Sequence, residues 1–222
     1  MATDEPAKAL APTVRSTLRR LRQRGSHERA VIDAILDEAL VCHVGFAGEH
    51  GPVVLPMAYA RIGDDLYLHG AAGNAMLRTL ASGVDVCVTV TLLDGVVLAR
   101  SAFHHSMNYR CVVVFGRAVR VEDPAEAQRA SAALVDHLVA GRSDEVRAPT
   151  DEELRKTLLV RLAIEEGSAK VRTGGPADDA DDLSLPVWAG VLPLRLRAGD
   201  AEADAGVEVA APHSVAAHPL RA

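Results

Sequence analysis

At 222 residues, 49% of them hydrophobic, the chain is long enough to bury one substantial core, and the division this predicts is one domain with tails. A formal net charge of −6 excludes the broadly basic surface on which non-specific nucleic-acid binding depends. Cys42, Cys87 and Cys111 are odd in number and sit in apolar runs without Cys-x-x-Cys or Cys/His ligand spacing, so reduced thiols and no metal site are expected.

Met1 to Thr13 is polar and rich in Ala and Pro, and no apolar run is long enough to cross a bilayer, so the expectation is a cytoplasmic protein with no membrane partner. Residues 1–13 and 199–222 lack periodicity and read as mobile tails around a domain at 14–198. Arg15, Arg19, Arg20, Arg22 and Arg24 form a basic run that reads as a solvated helix face or a clamp on an acidic partner surface. Ser26–Ala39 carries Ala30, Val31, Ala34 and Ile35 at helical spacing.

Strands follow from β-branched runs between turn residues: Leu40–Phe46, Pro52–Arg61 across Gly48–Gly51, and Leu66–His69 across Gly63–Asp65. Asn74–Ala81 reads as a short helix with Asn74 as its N-cap and Gly83 as its stop. Strands resume at Val84–Leu93, turn at Asp94-Gly95 into Val96–Ala99, and continue with Arg110–Val121. Asp123 and Pro124 open a helix to about Ala140, and Thr150 with Glu153 opens another to about Val160. Arg161–Arg172 and Val187–Arg197 supply the last strands. The sum is mainly β: antiparallel strands in a closed or partly closed barrel with three or four peripheral helices. No G-x-G-x-x-G or phosphate-loop motif occurs.

Two segments concentrate chemistry. In Leu66–Leu77 a strand runs into His69-Gly70, then Gly73-Asn74, then a helix start, and the free N–H groups of such a junction can hold a phosphate. In Ser101–Gly116 a His-rich stretch feeds a β-branched strand. His69 alone reads as a satisfied structural group, Asn74 alone as a plain helix cap, Cys111 as a buried thiol, and Trp188 as a core or interface residue. His104 and His105 are adjacent, so on a strand they face opposite ways and cannot readily chelate one ion.

Both segments, with Leu98-Ala-Arg100, Ser168–Arg172 and Leu185–Leu194, resemble the pyridoxamine 5'-phosphate oxidase-like family of FMN-binding split barrels, in particular its flavin-nucleotide-binding branch that includes nitroimidazole-resistance proteins. The resemblance runs from about Arg19 to about Leu194. It implies an antiparallel split β-barrel, FMN as cofactor, a homodimer with the flavin at the subunit interface, and a small-molecule substrate. It places Leu55, Pro56 and Met57 beside the flavin, together with His69, Gly70, Ala71, Gly73 and Asn74. His69 becomes the candidate for catalytic proton transfer.

Relatives carry Ser or Thr and a phosphate-gripping Arg or Lys around Asn74 and Ala75, where this chain has Asn-Ala; Arg78 is the nearest substitute, with Arg61 and Lys170 as others. Cys111 falls where a side chain can face the flavin, and Lys170, Arg172 and Trp188 fall where a partner subunit reaches across. The implied activity is a flavin-dependent oxidoreductase. A non-catalytic flavin binder, or a haem binder with His69 or His104 as axial ligand, stands as the alternative. Pyridoxamine phosphate oxidation itself is disfavoured, because Trp188–Leu194 lacks the Arg-x-His signature of those oxidases.

Overall fold

A computed structural model describes residues 9–221. In chain order its main elements are β1 (Gly25–Ser26), α1 (Arg29–Glu38), β2 (Val41–Gly48), β3 (Gly51–Ile62), β4 (Asp65–Ala71), α2 (Ala75–Ala81) and β5 (Asp85–Leu98). Then come β6 (Ser106–Arg117), β7 (Val119–Arg120), α3 (Pro124–Leu138), α4 (Asp151–Arg155), β8 (Thr157–Ala163), β9 (Glu166–Arg172), β10 (Gly190–Pro193) and α5 (His213–Ala216). This is the mainly antiparallel class with peripheral helices that the sequence predicts. No helix among the described residues is long and apolar enough to cross a membrane.

Two compact units are built from interleaved segments: one from the residues up to Ala39, Thr89–Val114 and Glu166–Arg195, the other from Leu40–Val88, Phe115–Glu165 and the residues from Leu196 on. In the first, β1 pairs antiparallel with β9 through Gly25 and Lys170, β9 neighbours β6, β6 neighbours β5, and β10 pairs antiparallel with β5. In the second, β2 and β3 form a hairpin that closes at Gly48 and Gly51, with Val44 opposite Leu55 and His43 opposite Pro56. β3 then pairs with β4 (Ala60 with Tyr67), β4 with β8 (His69 with Leu159), and β8 with β7, all antiparallel.

The second unit's core follows from the two-residue period of its strands. Leu66, Leu68, Val160 and Leu162 alternate into one side and are buried. On the other side Ala60, Tyr67 and Leu159 meet Ala130 and Leu134 of α3. Helix α3 begins as the sequence predicts, with the Asp123 carboxylate accepting from the Ala125 and Glu126 N–H groups and Pro124 in the first turn. Tyr67 is almost fully buried, so its hydroxyl requires a partner, and it donates to Glu126 Oε1 at 2.9 Å. Arg161 Nη1 donates to the same oxygen at 3.3 Å. Burial first, then the hydrogen bond to Glu126 and its charge, push the Tyr67 phenol up to about 12.

Several boundaries differ from expectation, among them the stretch Arg110–Val121, whose strand starts at Ser106 and is split into β6 and β7. The Thr150–Glu153 capping box forms, but α4 ends at Arg155, because Leu158 and Val160 bury alternate side chains in a strand paired with β4 and that burial outweighs their helix propensity. The stretch Arg161–Arg172 is two strands: Ile164 N–H donates to the Asp64 carbonyl at 2.7 Å, its side chain is buried, and the chain turns there. The last strand is confined to Gly190–Pro193.

Asp94-Gly95 is no turn but the middle of a continuous β5. Arg110 ties Asp94 down with two hydrogen bonds at 3.0 and 2.8 Å and also grips Glu38. Gly95 lies opposite Pro193, where a Cβ would stand 3.0 Å from the Leu192 carbonyl oxygen. Glycine serves here for close backbone approach, the alternative meaning of a strand glycine.

In the C-terminal segment the Ser214 amide donates to Glu145 Oε1 at 3.2 Å, and His218 Nε2 donates to the Leu138 carbonyl at 3.0 Å.

Gly95→Val is therefore expected to force β10 off its neighbour, at a cost of about 1–3 kcal/mol for the overpacking. Amide hydrogen exchange should accelerate at residues 190–193. Unchanged protection there would contradict the packing role.

Candidate functional site

The registers of the second unit put a defined set of side chains on one sheet face. Ala60 lies opposite Tyr67, so Ala58, Pro56 and Val54 of β3 share that face, and so do His69 and Ala71 of β4. Pro56 lies opposite His43, which adds His43 and Val41 of β2. Helix α3 covers the Ala60–Tyr67 end of this face. Beyond it Val41, His43, Val54, Pro56, His69 and Ala71 are exposed, with Val54 at 63%. Leu55 and Met57 point to the opposite face, alongside Val44 and Cys42. Leu55 is itself 42% exposed, and the buried Cys42 thiol is pushed up to about 12 by desolvation.

The exposed face leads along β4 into the turn 71–74. Gly70 leaves room there for α2: a Cβ would stand 2.8 Å from Leu77 Cδ1, so the buried Leu77 side chain packs against the bare strand end. Asn74 caps α2, its Oδ1 accepting from Leu77 N–H at 3.2 Å. The amides of Ala72 and Asn74 are taken by the carbonyls of Lys156 and Ala71. Those of Gly73, Ala75 and Met76 have no protein partner among the described residues, and Gly73 has open space where a Cβ would be.

Arg78, on α2 just past the turn, is exposed. Its Nε donates to the Ala72 carbonyl at 3.1 Å, which ties the side chain to the turn. Arg61 points elsewhere, donating to the Gly63 carbonyl at 2.7 Å. An exposed apolar face that ends in a turn with free N–H groups and a fixed guanidinium can take a flat apolar ring system joined to a phosphate. His69 adds an exposed imidazole on that face. The protein atoms around its ring displace enough water to hold its pKa below the ordinary histidine value, so it is neutral near pH 7.

The other anticipated residues lie in the first unit. Cys111 on β6 meets Lys170 on β9, and burial raises the thiol pKa while Lys170 opposes the rise. Arg172 is buried. Trp188 is 67% exposed and lays its indole against Gly190, where a Cβ would come within 2.9 Å of the ring. Leu183, Leu185, Val187, Leu192 and Leu194 are exposed in the same segment. His104 Nε2 is 3.1 Å from Asp179, and His105 Nδ1 donates to the Ser101 carbonyl at 2.9 Å. His43 and Val54 are absent from the sequence-derived set. The hairpin closing at Gly48 and Gly51 carries the signal that finds them, because that register alone places His43 opposite Pro56.

A family model described as pyridoxamine 5'-phosphate oxidase matches residues 28–171. Among solved structures, the flavocytochrome Anf3 from Azotobacter vinelandii is 35% identical, with a TM-score of 0.87 over 94% of this chain and 98% of that one. The FAD and haem binding protein from Mycobacterium smegmatis is 37% identical, with a TM-score of 0.84 over 87% of this chain and 96% of that one. A protein described as conferring 5-nitroimidazole antibiotic resistance, from Bacteroides thetaiotaomicron, is 24% identical with a TM-score of 0.56 over 66% and 86%, and shows the fold alone. No curated protein matches the chain.

The depressed His69 pKa makes a pH prediction. An unfolded chain takes up this proton from about pH 6.5 downward while the folded one resists it. Stability tied to His69 is thus complete above about pH 6.5 and declines as pH falls toward the folded value. An NMR titration should give a His69 pKa below that of a model peptide, and His69→Asn should flatten acid destabilisation in that window. A His69 pKa above the peptide value would contradict the assigned environment.

Proposed function

Because the chain belongs to the pyridoxamine 5'-phosphate oxidase family, whose antiparallel split-barrel fold it has, we propose that it is a flavin-dependent oxidoreductase acting on a small organic molecule. The observation that carries this reading is Arg78, held over the turn 71–74 beside three unpartnered amides, a phosphate cradle at the end of an exposed apolar sheet face.

A bound flavin supplies hydride or electron transfer. The chain's own residues then divide the remaining work. Gly73, Ala75 and Met76 offer N–H groups and Arg78 a charge to the phosphate; Pro56 and Val54 give the ring an apolar bed; His69, neutral near pH 7, is the group placed to hold or move a proton beside it. FMN is the cofactor that the resemblance to FMN-binding split barrels implies, and the turn beside Arg78 supports it.

Haem is a second cofactor on this reading. Two relatives above 30% identity carry flavin and haem in their descriptions, and an exposed neutral imidazole such as His69 is the form that ligates iron. Flavin bands in the absorption spectrum of the purified protein support the first cofactor, and a Soret band supports the second.

We further propose a homodimer, with a second copy covering the exposed apolar segment around Trp188, because a patch of this kind on a free monomer favours association. Sedimentation equilibrium at micromolar concentration should show a dimer that Trp188→Asp weakens; a wild-type monomer would contradict it.

Arg78→Ala should weaken FMN binding by about tenfold, the worth of one charge-assisted contact, with the melting temperature of the flavin-free protein unchanged. Unchanged FMN affinity would remove the phosphate from this turn.

A further inference from the structure

The sheet face that carries His69 does not end at β4. His69 lies opposite Leu159 and Ala71 opposite Thr157, so both β8 residues share that face. Val121, just past β7, lies one strand further on, its N–H donating to the Leu159 carbonyl at 3.0 Å. Leu159, Thr157 and Val121 line a cavity of about 690 Å³ whose other walls come from the start of α3 and from α4. Every part of it belongs to the second unit. Opposed residues of an antiparallel pair have Cβ atoms about 5 Å apart, so the Leu159 wall is the immediate neighbour of His69. The volume is within the range of small-molecule sites, roughly 300–1,000 Å³.

Four charged side chains line the same cavity: Arg120, Glu122, Asp151 and Arg155, all of them exposed and so within reach of a ligand. None of the four has a side-chain hydrogen bond or an ion pair among the described residues. The charges around them are paired: Lys156 holds Glu152 at 2.6 Å, Arg147 holds Glu153 at 2.8 Å, Arg161 holds Glu126 at 3.3 Å, and Asp123 caps α3. Two cations and two carboxylates around one cavity cancel in net charge. A simple anion therefore gains from the arginines what it loses to the acids, whereas a ligand with one charge of each sign gains from both. The apolar wall of Leu159 and Val121 favours a hydrophobic body between those charges.

We propose that this cavity binds a small zwitterion with an apolar body, the class of apolar dipeptides, and that it is the substrate pocket beside His69. Arg120 and Arg155 take the carboxylate, Glu122 and Asp151 the ammonium group, and Val121 and Leu159 the apolar side chains. Arginines and acids that stand too far apart to pair suit a ligand whose own charges are separated, by up to about 7 Å in an extended dipeptide. The role as substrate pocket rests on the flavin reading above, because the flavin is what His69 and its face would hold one strand away. The zwitterion site itself does not depend on that reading.

Leucyl-leucine is the direct probe, titrated by calorimetry into the full chain without flavin. It should bind, and both N-acetyl-leucyl-leucine, which lacks the ammonium group, and leucyl-leucinamide, which lacks the carboxylate, should bind about tenfold more weakly. Arg155→Gln should weaken leucyl-leucine by about the same factor and leave leucyl-leucinamide unaffected. Asp151→Asn should weaken leucyl-leucine and leave the N-acetyl form unaffected, and both exposed positions should keep the wild-type melting temperature. Three results would overturn the site: no binding of leucyl-leucine, equal affinity for the blocked forms, or hexanoate held more tightly than the dipeptide. With FMN bound, leucyl-leucine should also shift the flavin bands; binding that leaves them unmoved would remove the substrate role. If leucyl-leucine binds and no flavin does, the flavin reading falls and the zwitterion site stands. If a flavin binds and leucyl-leucine does not, the cavity proposal falls alone.

Discussion

The site of the second unit depends on where α3 stops. A buried phenol must find an acceptor, and Tyr67 finds Glu126 in the first turn of the helix. That bond, reinforced by Arg161 and by the contacts of Ala130 and Leu134, fixes α3 over the Ala60–Tyr67–Leu159 end of the sheet. The same face continues past the helix with exposed side chains, carrying His43, Pro56, His69 and Ala71 into the turn 71–74. Two residues along β4 separate a core tyrosine from an exposed histidine on one face. The boundary between stability and function lies in that step.

Much of this was legible in the residues themselves. Asn74 as a cap, Asp123-Pro124 as a helix start and the Thr150–Glu153 box are local hydrogen-bond arrangements, and local signals survive folding. The misread segments are those decided by distant partners. Asp94-Gly95 has the composition of a hairpin turn, but β10 comes from a hundred residues downstream to pair with it. Leu158 and Val160 continue a helical composition until β4 claims them. At the site the resemblance pointed to the turn 71–74. The cation there was open among three residues, and only the fold shows Arg78 bent back to Ala72 while Arg61 is spent on Gly63. His43 was missed because nothing in its own neighbourhood marks it; the strand opposite does.

The two units hold their positive charge differently. At the turn 71–74 one exposed guanidinium is fixed by a carbonyl, beside free amides, an arrangement suited to a single phosphate. At β9 the buried Arg172 guanidinium donates only to neutral oxygens among the described residues, and Arg24 stands near it, an arrangement costly for a buried cation. Neither is visible in the net charge of −6, which averages over a chain whose acids and bases are unevenly placed.

The central claim is that the uncovered sheet face and its terminal turn hold the flavin. Backbone amide NMR of the flavin-free protein, with FMN titrated in, tests it most directly. The account predicts that shifts concentrate at Val54–Met57, at His69–Arg78 and at His43. Shifts confined to the α3–α4 region, with the amides of Gly73, Ala75 and Met76 unmoved, would contradict it.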